Sequence, residues 1–392
     1  LLKREKATRK RLKELNGADV EIWAAASIAK AFDKQSIKYP RTEKGAPSFT
    51  KAFLSEHPSE LAKLIIEARN LNKIQGTFID SILKFVGRDG RIHGHINQLR
   101  SDDGGTVSGR LSMNNPNLQQ IPARDPELGP MIRRLFLPEE EEQWAALDFS
   151  QQEPRILTHY AHAFSEYKNM DLPGVKEFVD AYNEDPDMDF HSLVSLMTGL
   201  PRKESKICNL AMMYGMGVNR LSQQLDITLP EAKELIKQYH DRVPFVRGLM
   251  QGVQRSLDDK RSSGSIRSLG GRKCRFNLWE PDAYEMNKAL PYQEAVNEYG
   301  PTTRLRRAYT YKSLNRLIQA AAADMTKQAM VDVYKAGTVP LLQVHDELAF
   351  SVKSVEQARE LAEIMKNAIP LVVPNKVDIE IGPNWGDFES AD

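Results

Sequence analysis

Asp148 and Asp346 are the two acids whose surroundings invite chemistry. Asp148 ends the apolar run Trp144-Ala145-Ala146-Leu147, and Asp346 with Glu347 sits inside Gln343-Val344-His345-Asp346-Glu347-Leu348. A carboxylate among apolar residues is costly unless a cation or metal compensates it. Taken singly, such an acid as often just ends a strand or caps a helix. Taken together, the two lie far apart in the chain and meet only if the fold sets two strands side by side. Oxygen-only ligands of this kind suit Mg²⁺, which keeps waters and takes substrate phosphate oxygens. Two such ions about 3.5–4 Å apart stabilise the attacking and leaving oxygens of a phosphoryl transfer.

A second constellation is helical. In the stretch 202–215, Arg202, Lys206, Leu210 and Tyr214 recur every fourth residue, which keeps them on one helix face. Two cations then lead toward an aliphatic and an aromatic residue, an order that suits a triphosphate followed by a sugar and base. Spacing alone favours an ordinary amphipathic helix with a solvated basic end. A third stretch, from Ser108 to Pro122, gathers Arg110, Asn117 and Gln120 in loops. Such residues suit hydrogen bonds to sugar, phosphate and base edges, and they suit turns as well.

The elements that must position these residues follow from periodicity and punctuation. Helices are expected over 1–35, broken near Asn16-Gly17, and over 59–75, with short strand-like pieces at 91–97 and 106–113. A buried strand is expected at 144–148. A mostly helical region runs from Gln152 to about 260, and a long Ala- and Met-rich helix covers 315–335. Two strands around a charged turn fill 341–351, then a helix at 354–368 and a strand at 376–381. This describes an α+β body with a long helical insertion between two strand regions.

Composition sets the boundaries. The 392 residues include 41% apolar and 27% charged residues, an ordinary globular balance. No apolar run approaches the roughly 20 residues of a membrane span, and the basic start lacks the apolar segment of a signal peptide. An intracellular protein without membrane contact is expected, its two cysteines, Cys208 and Cys274, reduced. Net charge is only +1, but cations cluster in the first sixteen residues and at Arg261, Arg267, Arg272, Lys273 and Arg275. Clusters on a neutral protein fit a phosphate-binding track, though a basic helix is more often a solvated face.

Four stretches in this order resemble the family A DNA polymerases, which include the bacterial repair polymerase and the replicative polymerases of tailed phages. They are GRLSMNNPNLQQIP (109–122), DFSQQEPRIL (148–157), RKESKICNLAMMYG (202–215) and QVHDEL (343–348), joined by Asn315-Arg-Leu-Ile-Gln319. The resemblance covers residue 90 to the end. It implies a right-hand polymerase fold with a helical thumb (1–90), an antiparallel-sheet palm (91–155 and 315–392) and helical fingers (156–314). It implies template-directed addition of dNTPs to a primer 3′-hydroxyl with two Mg²⁺ ions, replaceable by Mn²⁺.

Residue by residue, the resemblance makes Asp148, Asp346 and the Phe149 carbonyl the metal ligands, with Glu347 and Lys206 also catalytic. Arg202, Lys206, Leu210, Tyr214, His191 and Gln151 match nucleotide contacts, and Glu153 matches the residue that crowds the sugar 2′ position. Arg110, Asn117, Gln120, Arg155, Asn315, Gln319 and His345 match contacts to primer–template DNA. Two departures stand out. Leu210 lies where the family usually has Phe or Tyr, a position governing terminator acceptance, and Pro154 replaces a common Leu. The short gap between His191 and Arg202 is closer to phage forms. A monomer is expected, compatible with a processivity factor or an upstream exonuclease or helicase domain; the first 90 residues suffice for a thumb but not for an exonuclease. The rival readings are a single-subunit RNA polymerase relative, disfavoured by Glu153 and Glu347, and a non-catalytic DNA-binding relative.

Overall fold

The structure is a computed structural model that describes residues 1–42, 44–101, 104–122, 128–258, 262–283 and 287–391. Two compact units emerge from its contacts: Leu1–His95 with Asn115–Arg133, and Ile96–Asn114 with Arg134–Asp392.

The first unit is built on the helices Leu2–Asn16, Ala25–Lys34, Lys51–Glu56 and Glu60–Lys73. The first of them stops where expected. Gly17 adopts φ 71°, a left-handed conformation that costs glycine little, and its amide returns to the Lys13 carbonyl. Ser59 caps the last of them by accepting from the Ala62 amide at 3.2 Å. The core is aromatic at its centre: Phe32, wholly buried, meets Phe49 at 5.0 Å and Phe53 at 6.1 Å between ring centroids. Asn117 and Gln120 belong to this unit, and Asn117 caps its own 3₁₀ turn by accepting from the Gln119 amide at 3.1 Å.

The second unit is organised by a five-stranded antiparallel sheet. Its strands are β1 (Gln143–Phe149), β2 (Leu342–Val344), β3 (Glu347–Val352), β4 (Val377–Asn384) and β5 (Asp387–Ser390), in the spatial order β5-β4-β1-β3-β2. β1 is therefore central. Alternation turns Ala145, Leu147 and Phe149 into the main core, while Trp144 on the other face stacks on Trp385 at 5.8 Å. Five helices matter most for the site: α1 (Gln152–Lys168), α2 (Phe190–Thr198), α3 (Arg202–Met213), α4 (Ser313–Lys335) and α5 (Val355–Lys366). In α4 the run Ala320–Ala323 is buried, and side chains this small let neighbouring helices approach closely.

The fold is a mixed one of helices and antiparallel sheet, as the α+β expectation has it. One part of the long insertion departs from the helical expectation. A hairpin of Ser265–Arg267 and Lys273–Arg275 is followed by a three-stranded sheet of Leu278–Pro281, Leu290–Pro291 and Leu305–Arg307, with the helix Tyr292–Tyr299. Strands of two to four residues are too short to display a period of two in sequence.

Candidate active site

Strand register builds the acidic centre. Residues directly paired across antiparallel strands share a face, and Asp148 is paired with Glu347 on β3 and with Asp378 on β4. One step along, Ala146 is flanked by Ala349 and Glu380. Asp346 enters through the two-residue turn His345-Asp346, since Val344 pairs with Glu347 across it. His345 takes φ 58°, the positive value that tight hairpins demand at a central turn position. The expectation that two strands bring Asp148 and Asp346 together thus has its geometry in the β1–β3 pairing.

Such a row repels itself. Burial, then repulsion from Asp346, Glu347, Asp378 and Glu380, pushes the Asp148 carboxyl up to about 8, even though its side chain reaches solvent on its open side. Burial also raises Asp346, which Arg110 opposes and Glu153 reinforces. Lys376, 3.3 Å from Asp378, meets one edge of the row, and like charges gathered this closely at Asp148 and Asp346 call for a further cation. Among the described residues no three His, Cys, Asp or Glu side chains converge as a closed metal cage. Hard carboxylate donors from Asp148 and Asp346 instead fit an ion that keeps waters and accepts substrate oxygens, as Mg²⁺ does. Phe149 has its ring in the core, so only its backbone is left for the expected metal contact.

A second cluster stands beside the acids. The Tyr214 hydroxyl donates to Glu153 Oε2 at 2.5 Å, and Arg110 Nη2 donates to Glu153 Oε1 at 2.7 Å. Gln319 also bonds Tyr214, whose hydroxyl is raised chiefly by burial and next by Glu153. Four elements therefore converge: the loop after Gly109, the first turn of α1, the C-cap of α3 and the half-buried side of α4 that carries Gln319. Asn315, one turn before Gln319, has an Nδ2 without a partner among the described residues.

The α3 row behaves as its spacing predicts. Arg202 and Lys206 are exposed and Leu210 and Tyr214 half-buried, while Ser205, Cys208, Asn209 and Met212 face the core. Asp189 caps α2 and accepts from Ser192 Oγ and Arg202 Nε, both at 2.6 Å. Burial alone would raise its carboxyl, but these bonds outweigh it and hold Asp189 below the usual range. His191 is buried, with Nδ1 and Asn209 Nδ2 2.8 Å apart, and burial lowers its pKa, so the ring is neutral near pH 7.

Two expected contacts need correction. Arg155 is not a DNA-facing cation: it is 1% exposed and donates to the carbonyls of Ser150, Pro374 and Pro186 at 3.0, 2.6 and 2.7 Å. Its guanidinium also lies 4.6 Å from the Tyr182 ring centroid, so it rivets three chain segments. Gln151 has both ends of its amide engaged by backbone, donating to the Met188 carbonyl and accepting from the Phe190 amide. It fixes the entry to α2 instead of meeting a nucleotide. Arg261 of the basic cluster lies outside the described residues.

Two acids escaped the sequence reading, and Trp385, which shares the resemblance as Asn384-Trp385, had no role assigned to it. Asp378 and Glu380 alternate with Val377 and Ile379, a pattern that resembles a solvated strand face; its register against Asp148 gives it meaning. Trp385, fully buried, donates from Nε1 to Glu347 Oε1 at 3.2 Å and so helps fix that acid.

The family-level comparison agrees with this geometry. The model of DNA polymerase family A matches residues 1–387, and the chain belongs to that family. It is 34% identical over 413 residues to a DNA-directed DNA polymerase of Pseudomonas phage M6, covering 93% of this chain and 57% of the relative. It is 34% identical over 358 residues to the thermostable DNA polymerase I of Thermus filiformis, covering 88% of this chain and 39% of that one. The chain thus spans well under two thirds of these relatives. Among solved structures it is similar to the POL domain of Pol1 from M. smegmatis in complex with DNA primer-template and dNTP. That match has a TM-score of 0.74 at 28% identity, over 98% of this chain and 65% of that one.

Proposed function

We propose that the chain is the polymerising part of a template-directed DNA polymerase that adds dNTPs to a primer 3′-hydroxyl and releases pyrophosphate. The observation that carries this is the register of β1 and β3, with the Asp346 turn at its end, which assembles an acidic centre next to the Arg110–Glu153–Tyr214 cluster. In this reading residues 1–90 serve as thumb, 91–155 and 315–392 as palm, and 156–314 as fingers. The partners are primer–template DNA and dNTPs. The setting is intracellular, with a phage-like origin supported by the phage relatives.

Each residue then has a task. Asp148, Asp346 and the Phe149 carbonyl would hold two Mg²⁺ ions, and the chemistry these would supply is polarisation of the 3′-hydroxyl and neutralisation of phosphate charge. Arg202 and Lys206 orient the triphosphate; burial chiefly lowers the pKa of His191 beside them, Asp189 opposing and Lys206 and Arg202 adding to it. Tyr214 closes over the nascent pair. Glu153, held from both sides by Tyr214 and Arg110, keeps a rigid wall where a sugar 2′-hydroxyl would stand. Arg110, Asn315, Gln319 and His345 face the primer end, where they can test pair geometry through minor-groove acceptors. Catalysis is then largely alignment plus charge stabilisation.

The test is primer extension on a primed template. Asp148→Ala and Asp346→Ala are expected to reduce extension by roughly a thousandfold or more, since several kcal/mol of charge stabilisation is lost. Binding of primer–template should persist in both. Normal turnover in either variant would refute the site assignment, and exclusive use of rNTPs would favour the RNA polymerase reading.

A further inference from the structure

Asp324 of α4 is a buried carboxylate with no part in the reaction proposed above, and such a group needs partners to be tolerated. It finds them in the turn of the hairpin formed by Ser265–Arg267 and Lys273–Arg275. It accepts from the Ser268 hydroxyl, from the Gly270 amide at 2.9 Å and from Arg272 Nε at 3.2 Å. The turn is closed on itself as well, the Ser268 amide donating to the Arg272 carbonyl at 3.0 Å. A Cβ on Gly270 would lie 2.9 Å from the Asp324 carboxyl carbon, so only glycine lets the backbone come this near.

The bond to Asp324 fixes where the Arg272 guanidinium lies, and that is against the loop that carries Arg110. A Cβ built on Gly109 would be 2.6 Å from Arg272 Nε and 2.7 Å from its Cζ, and Gly109 takes φ 85°. The guanidinium thus fills the space that a side chain at 109 would need. From within the loop, the Thr106 hydroxyl donates to the Arg110 carbonyl at 2.8 Å. Arg110 itself donates to Glu153 at 2.7 Å, and Glu153 also accepts from Tyr214. The helix that supplies Asp324 supplies Gln319 to Tyr214 too. α4 therefore holds the cluster twice, directly through Gln319 and indirectly through Arg272 and Gly109.

We infer that Arg272 is a positioning residue for sugar discrimination: held by Asp324, it backs Gly109 and so sets how firmly Arg110 braces Glu153. The inference rests on the polymerase reading, in which Glu153 stands where a sugar 2′-hydroxyl would be. A wall of this kind rejects the extra hydroxyl only as far as it is stiff. A loop that pivots on a glycine is soft unless something rigid lies against it, and a planar guanidinium oriented through Nε is rigid. A lysine ammonium would keep the charge beside Asp324 but offer Gly109 no flat group.

The experiment is single-nucleotide primer extension with a dNTP and its matching rNTP, for wild type, Arg272→Lys, Arg110→Ala and the double variant. A thermal midpoint confirms that each folds. Arg272→Lys should raise the rNTP-to-dNTP ratio of kcat/KM by roughly tenfold, with a smaller change for the dNTP itself. In the Arg110→Ala background the same substitution should add nothing, because both act through one contact. Asp324→Asn, which keeps the shape and one acceptor, should shift the ratio in the same direction by less. Arg272→Gln, neutral but still a donor, should leave the salt dependence of primer–template binding as it is. A wild-type ratio in Arg272→Lys, or additive effects in the double variant, would overturn the inference. So would a salt slope that falls by about one in Arg272→Gln, which would make Arg272 a direct phosphate contact. A wild type that extends no primer, or takes rNTPs alone, would sink the polymerase reading and the inference with it, an outcome distinct from the other three.

Discussion

Arg155 and Arg110 carry the same charge to opposite uses. Arg110 lends one nitrogen to Glu153 and lies near the acidic centre, whereas the buried Arg155 donates to backbone carbonyls on three segments. A lysine cannot span three acceptors with a planar fork, so Arg155→Lys should lower stability by about 2–4 kcal/mol as carbonyls lose their donor. Denaturant midpoints would check this; intact stability with weakened DNA binding would restore the DNA-facing reading. Leu210 offers a prediction of the other kind. It is half-buried on the exposed row of α3, so a larger ring adds volume without breaking the core behind it. Leu210→Phe should change the ratio of terminator to dNTP incorporation while leaving the melting midpoint nearly unchanged. An unaltered ratio would remove Leu210 from sugar recognition.

At the scale of elements, α1 is where pH should act. His159 on α1 accepts the Val372 amide through Nδ1 at 3.1 Å, so this nitrogen must be unprotonated. Burial, and then His162, lowers its pKa. The unfolded chain takes up a proton near pH 6.5 while the folded one resists until lower pH. Its stabilising contribution is therefore full above about pH 6.5 and is lost as pH falls toward the folded value. His159→Gln should flatten the loss of stability between about pH 7.5 and about 5.5 in urea titrations; His191 and His240, both also lowered by burial, add to that loss, while Asp148 and Asp346, both raised by burial, oppose it. An unchanged acid-side slope would mean that the Val372 bond does not govern it. The same elements show what a sequence discloses. β1, the β2–β3 hairpin and α4 were legible because apolar runs and a charged turn mark them directly. Arg155 was not, because its length and charge are those of a surface residue and only the three carbonyls around it reveal burial. Asp378 was hidden by alternation, and the hairpin that carries Arg272 by its brevity. That hairpin is pinned from afar: Asp324 on α4 accepts from Ser268, from the Gly270 amide at 2.9 Å and from Arg272 at 3.2 Å.

For the molecule as a whole, the net charge of +1 conceals how its cations are used. On Leu2–Asn16 many are paired, Arg4 with Glu67, Arg9 with Glu5, Arg11 with Glu60 and Lys13 with Asp19, as a solvated helix face would have them. The more consequential feature is that the hydrophobic side chains form separate clusters. One gathers Leu12, Ile22, Ile28, Phe32 and their neighbours in the first unit, the other surrounds β1 and α4 in the second, and they share no residue. Separate cores license separate cooperative transitions. Phe32→Ala removes the ring at the centre of the first cluster, a loss of about 3–5 kcal/mol for a buried Phe. Circular dichroism follows helices of both units, while in a Trp23→Phe background, which removes the tryptophan of the first unit, emission from the buried Trp144–Trp385 stack follows the second. The substitution should move the early part of the dichroism transition to lower denaturant and leave the change in buried-tryptophan emission where it is. Equal shifts of both signals would show that the two cores melt as one.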